Sequence, residues 1–344
     1  MNETLINVCD YGARGNGKSD DTEAIRKAIS ALPPCGGGVI YFPPGNYLTD
    51  TIYGPNFATL MGNAAFGYQE AGGTVLSPLK KSQARLIDLN GKRGTRIVGL
   101  TLHGKDMGEE MDGIYLSRPG NNEQNIVIDG CRIEHFTGSG IAMNEAHVWC
   151  IRHCIIFANK KDGIDAHAAF DGWIIDNQIA ANRRYGINVN NSVTITANRI
   201  EHSGQSGIFF NRHFSQHVQI TGNLFCTNHG PAIEILEGNV RAIVITGNTI
   251  RNSGYGGEVE EERRCHVRFE GVQGLVFNGN ALHVLWCNYP EIGMRIKGLV
   301  DSVVANNTLF KGAMKALIND LGGHNNTIIQ NNPGSLKLEN DIDS

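Results

Sequence analysis

Asp165 and His167, and further along the chain Glu234 and Glu270, are the side chains best suited by type and spacing to move protons. Each stands in a short segment in which apolar residues alternate with others: Gly163-Ile164-Asp165-Ala166-His167, Ala232-Ile233-Glu234-Ile235 and His266-Val267-Arg268-Phe269-Glu270. Successive residues of a strand point to opposite faces, so burial of the apolar set turns these polar residues outward. If the last two segments are neighbouring strands, the two-residue offset puts the Glu234 and Glu270 Cα atoms about 8 Å apart. Carboxyl pairs roughly 6.5–9.5 Å apart suit an inverting glycoside hydrolase, one as acid and one as base with water between. His167 offers different chemistry. It would remove or return a proton while Asp165 tunes it or neutralises a substrate carboxylate. Those are the needs of β-elimination or C5 epimerisation of a uronic acid, with Tyr185 the nearest second acid–base group by sequence.

The same outward register gathers groups that bind sugars: Asn188, Asn190, Asn211, Arg268, Arg295 and Lys297. A guanidinium matches a carboxylate in two-point geometry, so the cationic end of this column suits an anionic polysaccharide. An insertion over residues 254–265, rich in Gly and Glu, enters just before the Arg268 segment. A long loop beside a polar strip serves as a wall or lid. The plainer alternative is a solvated face on which Glu234 and Glu270 merely pair with Arg268, Arg295 and Lys297.

A repeat must position these residues. Segments opening on a small residue and an apolar-x-apolar triplet start at Gly113, Gly140, Gly163, Gly186, Gly207, Ala232, His266 and Gly293, mostly 21 to 27 residues apart. Each carries a second alternating run and then an Asn: Asn177, Asn198, Asn223, Asn248, Asn280 and Asn307, with Cys131 and Cys154 in that place earlier. No such strand makes a core alone, but stacked turns give inward columns of Ile, Val and Leu. The Asn column is then an inward structural ladder. Asp20 to Ile29 has helical apolar spacing after an acidic start, which suits a cap over an open end. The expectation is an all-β chain, a right-handed parallel β-helix (solenoid) with a short N-terminal capping helix. It forms one domain over 1–344, with residues 1–50 as cap and entry segment.

Composition narrows the classes. Forty-three glycines with 7% aromatics fit many short strands and tight turns. A net charge of −4 gives no global basic field, so no nucleic-acid partner is expected. No apolar run reaches the roughly 18 residues of a membrane helix, and Met1-Asn2-Glu3-Thr4 lacks the features of a signal peptide. The protein is expected to be cytoplasmic, or secreted with its signal removed. The eight cysteines lack metal-type pairs and read as buried free thiols. No tight His/Asp cluster offers a ligand geometry, so neither metal nor cofactor is expected, with Ca²⁺ on scattered oxygens the alternative. A homo-oligomer such as a trimer is compatible with the sequence.

Asp10-Tyr11-Gly12-Ala13, Asp20-Asp21-Thr22 and Gly37-Gly38-Val39-Ile40-Tyr41-Phe42-Pro43-Pro44-Gly45 resemble the entry segment of the pectate-lyase-like β-helix superfamily. That group includes polygalacturonases, alginate epimerases and tailspike depolymerases, and the resemblance implies action on polysaccharides. Asp162-Gly163-Ile164-Asp165 and Met294-Arg295-Ile296-Lys297 look like polygalacturonase motifs, and Asn228-His229-Gly230 echoes a third. Gly163-Ile164-Asp165-Ala166-His167 is similar to the alginate-epimerase YGFDPH segment, with Asp162 in the tyrosine's place. Ile233-Glu234-Ile235 loosely resembles inulin fructotransferases. The expected function is a carbohydrate-active enzyme on a poly- or oligosaccharide, most simply a uronate-containing one. The carboxyl pair tilts the expectation toward glycoside hydrolysis. A lyase or C5-epimerase on Asp165 and His167, a fructan enzyme and a non-catalytic sugar-binding adhesin are the alternatives.

Overall fold

A computed structural model describes residues 4–67, 70–118, 123–210, 214–284, 289–310 and 314–335. Asn211 lies outside them. Two compact units follow one another along the chain, Met1–Trp173 and Ile174–Ser344. Each is a stack of turns whose strands pair in parallel on three faces.

In the first unit, Ile114 pairs with Ile87 on one side and Ile141 on the other, and Leu116 with Leu89 and Met143. A second face aligns Ile97, Ile128 and Ile151, and a third aligns Leu102, Ile133 and Ile156. The second unit repeats the pattern. Ile187, Ile208, Ile233, Val267, Met294 and Ile318 form one inward column. Ile195, Ile220, Ile245, Phe277, Val304 and Ile329 form the next. A third runs Ile179, Ile200, Phe225, Ile250, Leu282 and Leu309. Every turn thus hides apolar surface only against its neighbours, as the repeat requires.

The small residue that opens a segment has a steric cause. A Cβ on Gly186 would stand 2.6 Å from the Gly207 carbonyl oxygen, and one on Gly113 2.5 Å from that of Gly140. The residue before each ladder Asn turns the chain through left-handed backbone: Asp176, Ala197, Gly222, Gly247 and Gly279 have φ of 52°, 57°, 65°, 65° and 66°. Glycine meets that demand at no steric cost three times. The Asn that follows turns inward. Asn198 Nδ2 donates to Asn223 Oδ1 at 3.0 Å, Asn223 to Asn248 at 3.0 Å and Asn248 to Asn280 at 2.9 Å, with further bonds to backbone carbonyls. In the first unit the Cys131 N–H donates to Cys154 Sγ at 3.5 Å.

The helix spans Thr22–Ser30, buries Thr22, Ile25 and Ala28, and packs on the Val8–Tyr11 turn and the Ile52–Tyr53 strand. Asp21 does not cap it by its side chain but accepts from the Arg14 and Gly15 N–H groups at 2.7 and 3.2 Å, fixing the entry segment. Among the described residues no helix is long and apolar enough to cross a membrane.

Candidate active site

In the first unit the strand Ile164–Ile175 buries Ile164, Ala166 and Ala169 and turns Asp165 and His167 outward. His167 Nδ1 lies 2.7 Å from Asp165 Oδ1, with the two side chains 49% and 16% exposed. The carboxylate therefore orients the ring through Nδ1, as an acid–base histidine requires. Asp112, half-buried at the head of Asp112–Ser117, accepts the Ser139 N–H at 2.7 Å. Burial, then the charge of Asp165, push its carboxyl up to about 6 against the pull of the Ser139 N–H, Lys161 and Arg85. Tyr115 stands outward as its register predicts, with the Arg85 guanidinium 3.9 Å above its ring.

The second unit holds the other constellation. Glu234 pairs in register with Arg268, and Glu270 with Lys297, so the two glutamates are offset by two residues on adjacent strands. They do not face open solvent together. Glu234 is 1% exposed, because Arg263 of the inserted loop lies over it. Arg263 Nη2 and Nε donate to Glu234 at 2.9 and 3.0 Å, and Arg263 also reaches Ser206, Gln205 and Glu260. Ser206 donates its hydroxyl to Glu234 as well. Arg268 joins both carboxylates, with Nη1 3.5 Å from Glu234 Oε1 and Nε 2.9 Å from Glu270 Oε1. Arg295 Nε approaches Glu270 at 3.5 Å.

Burial works to raise the Glu270 carboxyl, but the Arg268 and Arg295 guanidinia outweigh it and hold it below the ordinary range. Burial likewise opposes the charge of Arg263, and Glu234 outweighs it, so Arg263 is held above its usual value. An open cleft of about 370 Å³ lies beside them, lined by Tyr185, Phe209, Glu234, Glu260, Arg263 and Arg268 among others. The Tyr185 and Phe209 rings stack with centroids 4.4 Å apart and planes 4° from parallel.

Asn188 is nearly buried and Asn190 half-buried in this unit, while Lys297 is exposed. Register thus aligned Glu234 with Arg268 and Glu270 with Lys297 as expected, but the burial of Glu234 by the insertion lay beyond it. Arg263 and Ser206 escaped sequence reading, since Arg263 belongs to no repeat. The position of the insertion was the signal that could have found it. Among the described residues no group of three or more His, Cys, Asp and Glu is arranged to hold a metal ion.

A family model described as a right handed beta helix region matches residues 112–273. The fold is a right-handed parallel β-helix, as that description has it. The chain is 29% identical over 206 residues to the mannuronan C5-epimerase AlgE6 of Azotobacter vinelandii, covering 53% of this chain and 22% of that protein. It is 30% identical over 201 residues to alginate lyase 7 of the same organism, covering 53% and 23%. The chain thus spans less than a quarter of the length of these curated relatives. Among solved structures, the A-module of the A. vinelandii epimerase AlgE4 superposes with a TM-score of 0.76 at 20% identity, covering 97% of this chain and 98% of the module.

Proposed function

We propose that this β-helix is a polysaccharide-modifying enzyme acting on a uronate-containing polymer, and that its reaction begins at the uronate C5. The observation that carries this is the Asp165–His167 pair, held at 2.7 Å with His167 half-exposed. His167 Nε2 takes the C5 proton, and the electron pair is delocalised onto the adjacent carboxylate. Return of a proton to the opposite face gives the epimer. Loss of the C4 oxygen, with a proton supplied to it, gives a chain end bearing a C4–C5 double bond. Asp112, whose carboxyl burial pushes up to about 6, is a candidate proton donor in the same unit. The similarity to mannuronan C5-epimerases and an alginate lyase supports this class of substrate.

Hydrolysis by Glu234 and Glu270 fits the geometry less well. An inverting hydrolase needs one carboxyl of raised pKa and room for water between the pair. Here Arg268 joins both carboxylates, Arg263 covers Glu234, and Glu270 is held low. These arginines and Lys297 instead suit the role of a carboxylate-binding surface.

The test is incubation with mannuronate polymer, other uronate polymers and fructans, followed by mass and NMR analysis. Unchanged mass with inverted C5 marks epimerisation, and ultraviolet absorbance of the new double bond marks elimination. Addition of water to each cleaved bond marks hydrolysis and would overturn the C5 reading. Binding without product would make the chain an adhesin.

A further inference from the structure

A second cluster of polar groups lies in the first unit, apart from Asp165 and His167. Arg118, just after the Asp112–Ser117 strand, directs Nη1 to His147 Nδ1 at 3.4 Å. His147 Nε2 meets Asp171 Oδ2 at 2.6 Å. The half-buried Phe170 ring lies 5.1 Å from the Arg118 guanidinium and 5.1 Å from the His147 ring. These residues come from successive turns, and backbone at positive φ turns the strands beside them: Val148 has φ 57° and Asp171 φ 55°.

The arrangement is poorly explained as a stabilising contact. The Asp171 side chain is 45% exposed, and exposed ion pairs contribute little. Arg118 Nε has no partner among the described residues. With Nδ1 facing Arg118 and Nε2 facing Asp171, the imidazole links a cation to a carboxylate beside an aromatic ring. Sugar sites use these parts: an apolar ring face, a few convergent polar groups, and a guanidinium for a carboxylate.

We propose that Arg118, His147, Asp171 and Phe170 form a second uronate-binding subsite, holding a sugar unit other than the one that reacts at His167. This rests on the uronate reading above. His167 and Asp171 are four residues apart on one strand, at most ~13 Å, a span that neighbouring sugar units of one chain can bridge.

The experiment measures KM and kcat on mannuronate polymer for the parent, Arg118→Ala, Arg118→Lys and Phe170→Leu, with binding of oligomannuronate and of a neutral oligoglucoside. Loss of a charge-assisted two-point contact predicts a KM at least about 10-fold higher in Arg118→Ala, with the loss falling in KM rather than kcat. Partial recovery is expected in Arg118→Lys, and weak binding of the neutral oligomer throughout. Unchanged KM in Arg118→Ala and Phe170→Leu, with the parent active, overturns the subsite and leaves the proposed function standing. A loss confined to kcat also overturns it. A parent that neither binds nor converts any uronate polymer removes both readings. Should Arg118→Ala fail to fold, the His147 imidazole NMR signals of the parent decide: they must shift with oligomannuronate, and static signals overturn the proposal.

Discussion

At the residue scale, the buried charges are the most exacting test of the structure. Removing one partner of a buried ion pair strands the other charge, a loss of ~3–5 kcal/mol, whereas replacing both is far milder. Arg263→Ala should therefore destabilise by about that amount, with Glu234→Gln in the same chain restoring much of it; chemical denaturation of the two variants measures both. His266 gives a pH prediction. It fills the place of a small residue, is fully buried, and neither ring nitrogen has a partner among the described residues. Burial, with a smaller push from His283, lowers it from 6.5 to about 3. The unfolded chain thus binds a proton that the folded chain refuses between those values. Stability is unaffected above pH ~6.5 and falls as pH drops below it, by ~2 kcal/mol at pH 5. His266→Gln should flatten that acid limb in melts across pH 4 to 7. Asp112 gives a prediction on the opposite limb. If its protonated form supplies the proton, kcat should decline as pH rises through about 6, and Asp112→Asn should abolish that dependence.

At the scale of elements, the Asn ladder is the repeated stabilising device. Asn223 is buried and bonds to Asn248, Asn198 and the Ile195 carbonyl. Asn223→Leu removes these side-chain bonds and should cost ~1–3 kcal/mol, read as a lowered melting temperature. Two faces of each turn and this ladder were legible in the sequence because alternation over several residues and a recurring Asn are periodic signals. The third face was not. Its strands, such as Arg199–Glu201 and Leu224–Cys226, align a single central column through Ile200 and Phe225, and one such position per strand displays no alternation. The same division runs through the candidate site. Register placed Asp165, His167, Glu234 and Arg268 on outward positions, since it follows from period two. The closing of Glu234 by Arg263, and the meeting of Arg118 with His147 and Asp171, depend on a loop and on strand corners that obey no period.

For the whole molecule, the scaffold supports several chemistries, so the reaction is decided by sites and not by fold. The first unit presents the Asp165–His167 pair, while the second presents a cleft edged by arginines. A polyanionic substrate meeting those cations on a chain of net charge −4 makes a further expectation. Local attraction of that kind is screened by salt, so KM for a uronate polymer should rise with ionic strength. The most direct test of the central claim is the fate of C5 in mannuronate polymer treated with the parent and with folded His167→Gln, followed by NMR and mass. The account predicts inverted C5 or a C4–C5 double bond from the parent, and at least ~100-fold slower formation by His167→Gln. Full activity in His167→Gln, or products that have gained water, would contradict it.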